Sequence, residues 1–125
     1  MNDRRQTVLV VDDEPHLLRL VQFRLEREGY DVVTASDGQS ALDSVFEHRP
    51  DVCLLDVVMP RRSGLEVLQE LRADERSAAL KVIMLTARAT DADIERGMQM
   101  GADDYLTKPF SAADLRSRVA AQLPG

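Results

Sequence analysis

The chain has a single cysteine, Cys53. That excludes an internal disulfide and any metal site built from several thiolates. Long apolar runs are missing too: no stretch approaches the roughly 18 consecutive apolar residues that a membrane-spanning helix needs. The opening residues MNDRRQT lead straight into a strand-like run and lack the apolar stretch of a secretory signal. No membrane partner is expected, and the expected setting is cytoplasmic. Proline, glycine and serine nowhere gather into a linker, and there is no internal repeat or low-complexity tract. Basic charge is in deficit: 16 Lys and Arg against 22 Asp and Glu leave a net charge of −6. Direct nucleic-acid binding by this segment is therefore disfavoured, because phosphate contact calls for a basic face. Neither a GxxxxGK loop nor a GxGxxG turn occurs, which disfavours a nucleotide site.

Five short apolar runs are present, at Val8–Val11, Val32–Ala35, Val52–Leu55, Val82–Leu85 and Tyr105–Leu106. They are continuous rather than alternating, the pattern of strands buried on both faces of a parallel sheet. Amphipathic stretches separate them. Leu17, Leu18, Val21 and Leu25 keep helical spacing, and Gly29 supplies a stop. Ala41, Leu42, Val45 and Phe46 follow Asp37, a good N-cap, and Pro50 closes that segment. Leu65, Leu68 and Leu71 form a stripe after Ser63. Ile94 and Met98 mark a weaker helix that ends near Gly101, and Leu115 and Val119 mark a last one, opened by Ser111 with Asp114 three residues on. The 125 residues fit one domain, expected over residues 7–123 with a flexible tail at 1–6 and a short end at 124–125 that holds no output domain. Five strand–helix units in a row predict a doubly wound α/β fold, a parallel sheet with helices on both faces. Periodicity does not give the strand order.

Ligands of open α/β sheets bind beyond the carboxyl ends of the strands. At those ends stand Asp12 and Asp13, then Asp56, then Thr86, then Lys108; the second run leads instead through Ser36 into a helix cap. Crowded carboxylates repel one another, and partial burial raises the cost of their charge. A hard divalent cation relieves both, and oxygen ligands with waters and a phosphate suit Mg²⁺. A lysine and a hydroxyl can hold phosphoryl oxygens. A carboxylate between the cation and the lysine is placed to attack phosphorus, and Asp56, alone at its strand's end, is the candidate nucleophile.

At these residues the sequence resembles the receiver (phosphoacceptor) domain of two-component response regulators. VLVVDDEP, LLDVVMPRRSGLE, VIMLTA and GADDYLTKPF each resemble a family motif, in order and at family spacing, across about Val8 to Leu123. The resemblance implies a flavodoxin-like sheet of order 2-1-3-4-5. It implies that Asp56 accepts a phosphoryl group from a sensor histidine kinase or phosphotransfer protein. It makes Asp12, Asp13, Asp56 and the backbone carbonyl of Val58 the ligands of Mg²⁺, with Mn²⁺ as a substitute. Lys108 would pair with the phosphoryl group, Thr86 would hydrogen-bond it, and Tyr105 would be the switch aromatic that turns inward when Thr86 moves. A cis bond between Lys108 and Pro109 is implied as well. The protein would be a signalling switch and not an enzyme with a separate substrate, read out through the face made by its fourth helix, fifth strand and fifth helix.

The resemblance leaves the output open. Asp104, Asp114 and Arg118 match charged residues that DNA-binding relatives use to form a homodimer through that face, but Ile94 stands where those relatives place a basic residue. A degenerate receiver that binds partners without phosphorylation is the alternative; it usually goes with loss of an acidic residue, the nucleophile or the lysine, and none is lost. A Mg²⁺-dependent aspartyl-phosphate phosphatase would resemble DxD at the nucleophile, and the second acid is replaced by Val58. Val58 cannot orient a water, and Arg88 is long enough to cover the phosphoryl group, so a phosphoaspartate lasting minutes or longer is expected. Cys53, Met84, Met98, Met100 and the leucine stripes are expected in the core, His16 and His48 at the surface, and Arg61 and Arg62 as a solvated loop pair.

Overall fold

The computed structural model describes residues 5–59, 62–87 and 90–123. Strands β1 (Thr7–Val11), β2 (Asp31–Ala35), β3 (Val52–Asp56), β4 (Lys81–Thr86) and β5 (Asp104–Thr107) alternate with helices α1 (Pro15–Arg27), α2 (Gly38–His48), α3 (Gly64–Ala73), α4 (Asp91–Gln99) and α5 (Ala112–Gln122). All strand pairs are parallel, in the order β2-β1-β3-β4-β5. This is the flavodoxin-like arrangement. Arg61 and Arg88 lie outside the described residues.

The β-branched and aliphatic runs become strands because both of their faces are covered. One apolar cluster joins Leu9, Val11, Cys53, Leu55, Val82 and Met84 to Val45 of α2 and Val67, Leu68 and Leu71 of α3. The other joins Val8, Val10, Val52, Leu54, Ile83 and Leu85 to Val21 and Leu25 of α1 and Leu115 and Val119 of α5. Successive residues of a strand thus feed opposite layers. Two-sided burial holds for β1, β3 and β4 but not for the edges. In β2, Asp31 and Thr34 are exposed, and β5 is fully buried only at Leu106. Each edge strand has a neighbour on one side only, so fewer groups screen it from water. Cys53 is buried, and burial pushes its thiol up to about 12, so it serves as packing.

The helix ends follow the local chemistry. The Asp37 and Ser63 side chains cap α2 and α3, and Ser111 accepts from the Asp114 amide. Gly29 follows α1 with φ +97°. Arg49, just before Pro50, adopts a left-handed conformation with φ 50° that ends α2. The expected core places Met98 wrongly. It is 42% exposed, because it rides on the outer part of α4 beside a cavity rather than over the sheet. Met84 is buried and Met100 half-buried, while His16 and His48 are exposed. Arg62 is half-buried and pairs with Glu70 at 2.9 Å rather than being simply solvated, because α3 presents Glu70 within its reach.

Gly64 positions the site from behind. A Cβ there would lie 1.9 Å from the carbonyl oxygen of Asp56, while the Gly64 amide donates to the Val57 carbonyl at 2.9 Å. Only glycine lets α3 begin this close to the end of β3. Gly64→Ala is expected to destabilise the protein by about 3 kcal/mol, read as a lower midpoint of urea unfolding; an unchanged midpoint would mean that the two segments separate freely.

Candidate functional site

Because β1 and β3 are neighbours, their carboxyl ends bring Asp12 and Asp56 together. Asp12 follows β1 and Asp56 ends β3; they are 0% and 5% exposed, whereas Asp13 is exposed. One carboxylate oxygen from each of Asp12, Asp13 and Asp56 lies within 4.8 Å of the others. Lys108 reaches this group from the loop after β5. Its Nζ donates to Asp12 Oδ2 at 2.6 Å and lies 3.4 Å from Asp56 Oδ1. The Lys108 amide donates to the Thr86 carbonyl at 2.7 Å, and the Lys108–Pro109 peptide is cis. Asp56 pairs in register with Leu85, so Thr86 is the next residue along the adjacent strand.

Backbone amides complete the setting. Asp12 Oδ1 accepts from the Glu14 amide at 3.0 Å, and Asp56 Oδ1 accepts from the Val58 amide at 3.3 Å. Glu14, third of the acidic run, turns away from the cluster. Its carboxylate accepts from the His16 and Leu17 amides at 3.1 and 2.6 Å and caps α1. Val58 is 75% exposed and presents no polar side-chain atom at the mouth of the site.

Burial pushes the Asp56 carboxyl above the ordinary carboxylate range, and the charge of Asp12 adds to it; Lys108 and the Val58 amide oppose the shift without cancelling it. Burial acts to lower Lys108, but its bonds to Asp12 and Asp56 outweigh that and hold the ammonium above its usual value. One ammonium cannot neutralise three carboxylates. A donor set of oxygens alone, with negative charge in excess, fits a hard divalent cation.

Beside this edge lies a cavity of about 380 Å³ lined by Thr86, Met84, Ile94, Met98 and Tyr105 among others. Tyr105 is half-buried on β5, in register with Met84. Sequence reasoning left one feature of this region unread. Arg118 of α5 pairs with Asp104 Oδ1 at 2.8 Å within the chain, and its guanidinium stands 5.4 Å from the centre of the Tyr105 ring. The fourteen-residue separation hides that contact from any local pattern. Arg72 was unread as well. It donates to the Gly101 and Leu80 carbonyls at 2.8 and 2.7 Å and pairs with Asp103 at 3.0 Å, tying α3 to the turn before β5.

The model of the response regulator receiver domain family matches residues 8–120. The chain belongs to that family. It is therefore a signalling domain. A chemotaxis response regulator of Vibrio cholerae is 32% identical, with 96% of this chain and 100% of that one covered and a TM-score of 0.91. The receiver domain of a Francisella response regulator is 34% identical, with 94% and 96% covered and a TM-score of 0.88. The receiver domain of a sensor histidine kinase from Pseudomonas aeruginosa is 34% identical, with 95% and 98% covered and a TM-score of 0.87; that structure has a magnesium ion coordinated in its active-site cleft. Among the described residues of this receiver domain, no helix is long and apolar enough to cross a membrane.

The raised Asp56 makes its ionised form the costly one in the folded state. Its contribution to stability is present below the unfolded carboxylate value, about pH 4, and is lost as pH rises through the folded value. In buffer without divalent cation, Asp56→Asn is expected to be more stable than the parent at pH 7. The gain should shrink towards pH 4. Urea unfolding at the two pH values checks both statements, and a less stable variant at pH 7 would contradict them.

Proposed function

We propose that this receiver domain takes a phosphoryl group from the phosphohistidine of a sensor kinase or phosphotransfer protein onto Asp56 and passes the change to the face made by α4, β5 and α5. The observation that carries this reading is the buried Asp56 carboxylate, set beside Asp12 and Asp13 and within reach of the Lys108 ammonium.

Asp12, Asp13, Asp56 and the backbone carbonyl of Val58 would hold Mg²⁺, or Mn²⁺ in its place. When bound, the cation supplies positive charge against the carboxylates and the incoming phosphoryl oxygens. An oxygen of Asp56 attacks phosphorus in line, the bond from phosphorus to the histidine nitrogen breaks, and the imidazole leaves with its electron pair. Asp56 must be ionised to attack, so its raised value favours reaction at neutral rather than acidic pH. Lys108 meets the phosphoryl charge; it already spans Asp12 and Asp56 and needs only a small swing. Thr86 donates its hydroxyl to a phosphoryl oxygen. Its movement enlarges the space at the cavity, and Tyr105 turns inward to fill it. A partner reads the altered face, and a second copy of the chain is one such partner.

The test is intact mass after incubation with Mg²⁺ and a small acyl-phosphate donor. One phosphoryl group should be gained, its gain abolished by a chelator and by Asp56→Ala. A Mg²⁺-loaded protein that gains nothing would point to the degenerate alternative. With the exposed apolar Val58 at the mouth, no side chain at that position orients a hydrolytic water. The phosphorylated form should persist for minutes or longer in Mg²⁺ buffer; decay within seconds would refute that.

A further inference from the structure

We infer that Arg118 is a latch that holds Tyr105 in its resting position and so weakens phosphorylation-dependent activation. Three observations meet at this point. The Arg118 guanidinium is fixed by a 2.8 Å bond to Asp104, the residue immediately before Tyr105. It stands over the Tyr105 ring, 5.4 Å from the ring centre, within the range of a cation–π attraction. The same ring borders a cavity of about 380 Å³ with Thr86, Met84, Ile94 and Met98, which offers an apolar alternative position.

These features set two positions against each other. In the resting position the ring has its face towards a cation and part of its surface in water. In the cavity it would gain apolar contact but leave the guanidinium behind, because Asp104 holds the cation in place. Arg118 therefore favours the position seen here. It touches no reacting atom and is a positioning residue that acts through Tyr105. Ligands of the phosphoacceptor site can shift this balance only by their preference for one position, and the coupling is reciprocal. Removing the latch should strengthen binding at Asp56. This last step rests on the phosphotransfer reading above, whereas the latch itself does not.

Two measurements separate these. The chain has no tryptophan and two tyrosines, so Tyr30→Phe leaves Tyr105 as the sole intrinsic fluorophore of interest. In that background, without Mg²⁺ or any phosphate analogue, Arg118→Gln should lower the acrylamide quenching of tyrosine emission, as the ring spends more time in the cavity. Arg118→Lys, which keeps the cation, should stay near the parent. If Arg118 merely covered the ring, its removal would raise quenching, and unchanged or raised quenching would overturn the latch.

The second measurement is the affinity for beryllofluoride with Mg²⁺. Arg118→Gln should bind about two- to fivefold more tightly than the parent, the size expected for one partly exposed cation–π contact. The gain should vanish when Tyr105 is replaced by Leu. An equal gain in the Tyr105→Leu background would overturn action through the ring. A parent chain that does not bind beryllofluoride at all would overturn the phosphotransfer reading and leave the quenching result to decide the latch.

Discussion

Two buried carboxylates held by one lysine set the terms for this molecule. Asp12 and Asp56 come from adjacent parallel strands, so a sheet of this order cannot keep their charges apart. Lys108 spans them at 2.6 and 3.4 Å, arriving from a loop at the other side of β4. The amide of Lys108 is itself tied to the end of β4, donating to the Thr86 carbonyl at 2.7 Å. The lysine meets only part of the negative charge, since Asp13 adds a third carboxylate to the group. The remaining negative charge lies at the carboxyl edge of the sheet, on oxygens alone.

Such a cluster is a burden on the fold, and the apolar layers carry it. The sheet's middle strands are packed on both faces, and Gly64 lets α3 close against the backbone of Asp56. Asp56 thus sits at the end of a strand packed on both faces, with the start of α3 against its backbone. The region around α4 is built differently. Met98 is exposed, Ile94 is half-buried, and a cavity separates the helix from β4 and β5. Low packing density is where a protein can adopt a second arrangement at small cost. Thr86 belongs to both regions: it ends a central strand and borders the cavity.

Much of this was legible in the residues. Continuous apolar runs marked the strands, because a strand covered on both faces needs no alternation. The N-caps Asp37, Ser63 and Ser111 were legible because capping is a contact over three residues. The polar residues at the strand ends mark the candidate site in the sequence, since open parallel sheets bind ligands at one edge. The exposure of β2 and β5 was not legible, because an edge strand can have the composition of a central one. The exposure of Met98 is not legible in the sequence, because helical spacing says which residues share a face and not whether that face meets the sheet. Glu14 directly follows Asp12 and Asp13 yet caps α1 instead of joining them, a difference that depends on side-chain direction alone.

By itself, the sequence determined five strand–helix units, the residue types at each strand's end, and motifs whose order and spacing specify the family. These are local properties, set by periodicity, capping and short-range sterics. Tertiary structure decided the partnerships: Lys108 with Asp12 across 96 residues, Arg72 with Asp103 across 31, and Arg118 with Tyr105 and Asp104. Charge pairing at such separations depends on which strands lie side by side and on how far a loop reaches. No periodicity along the chain encodes either distance.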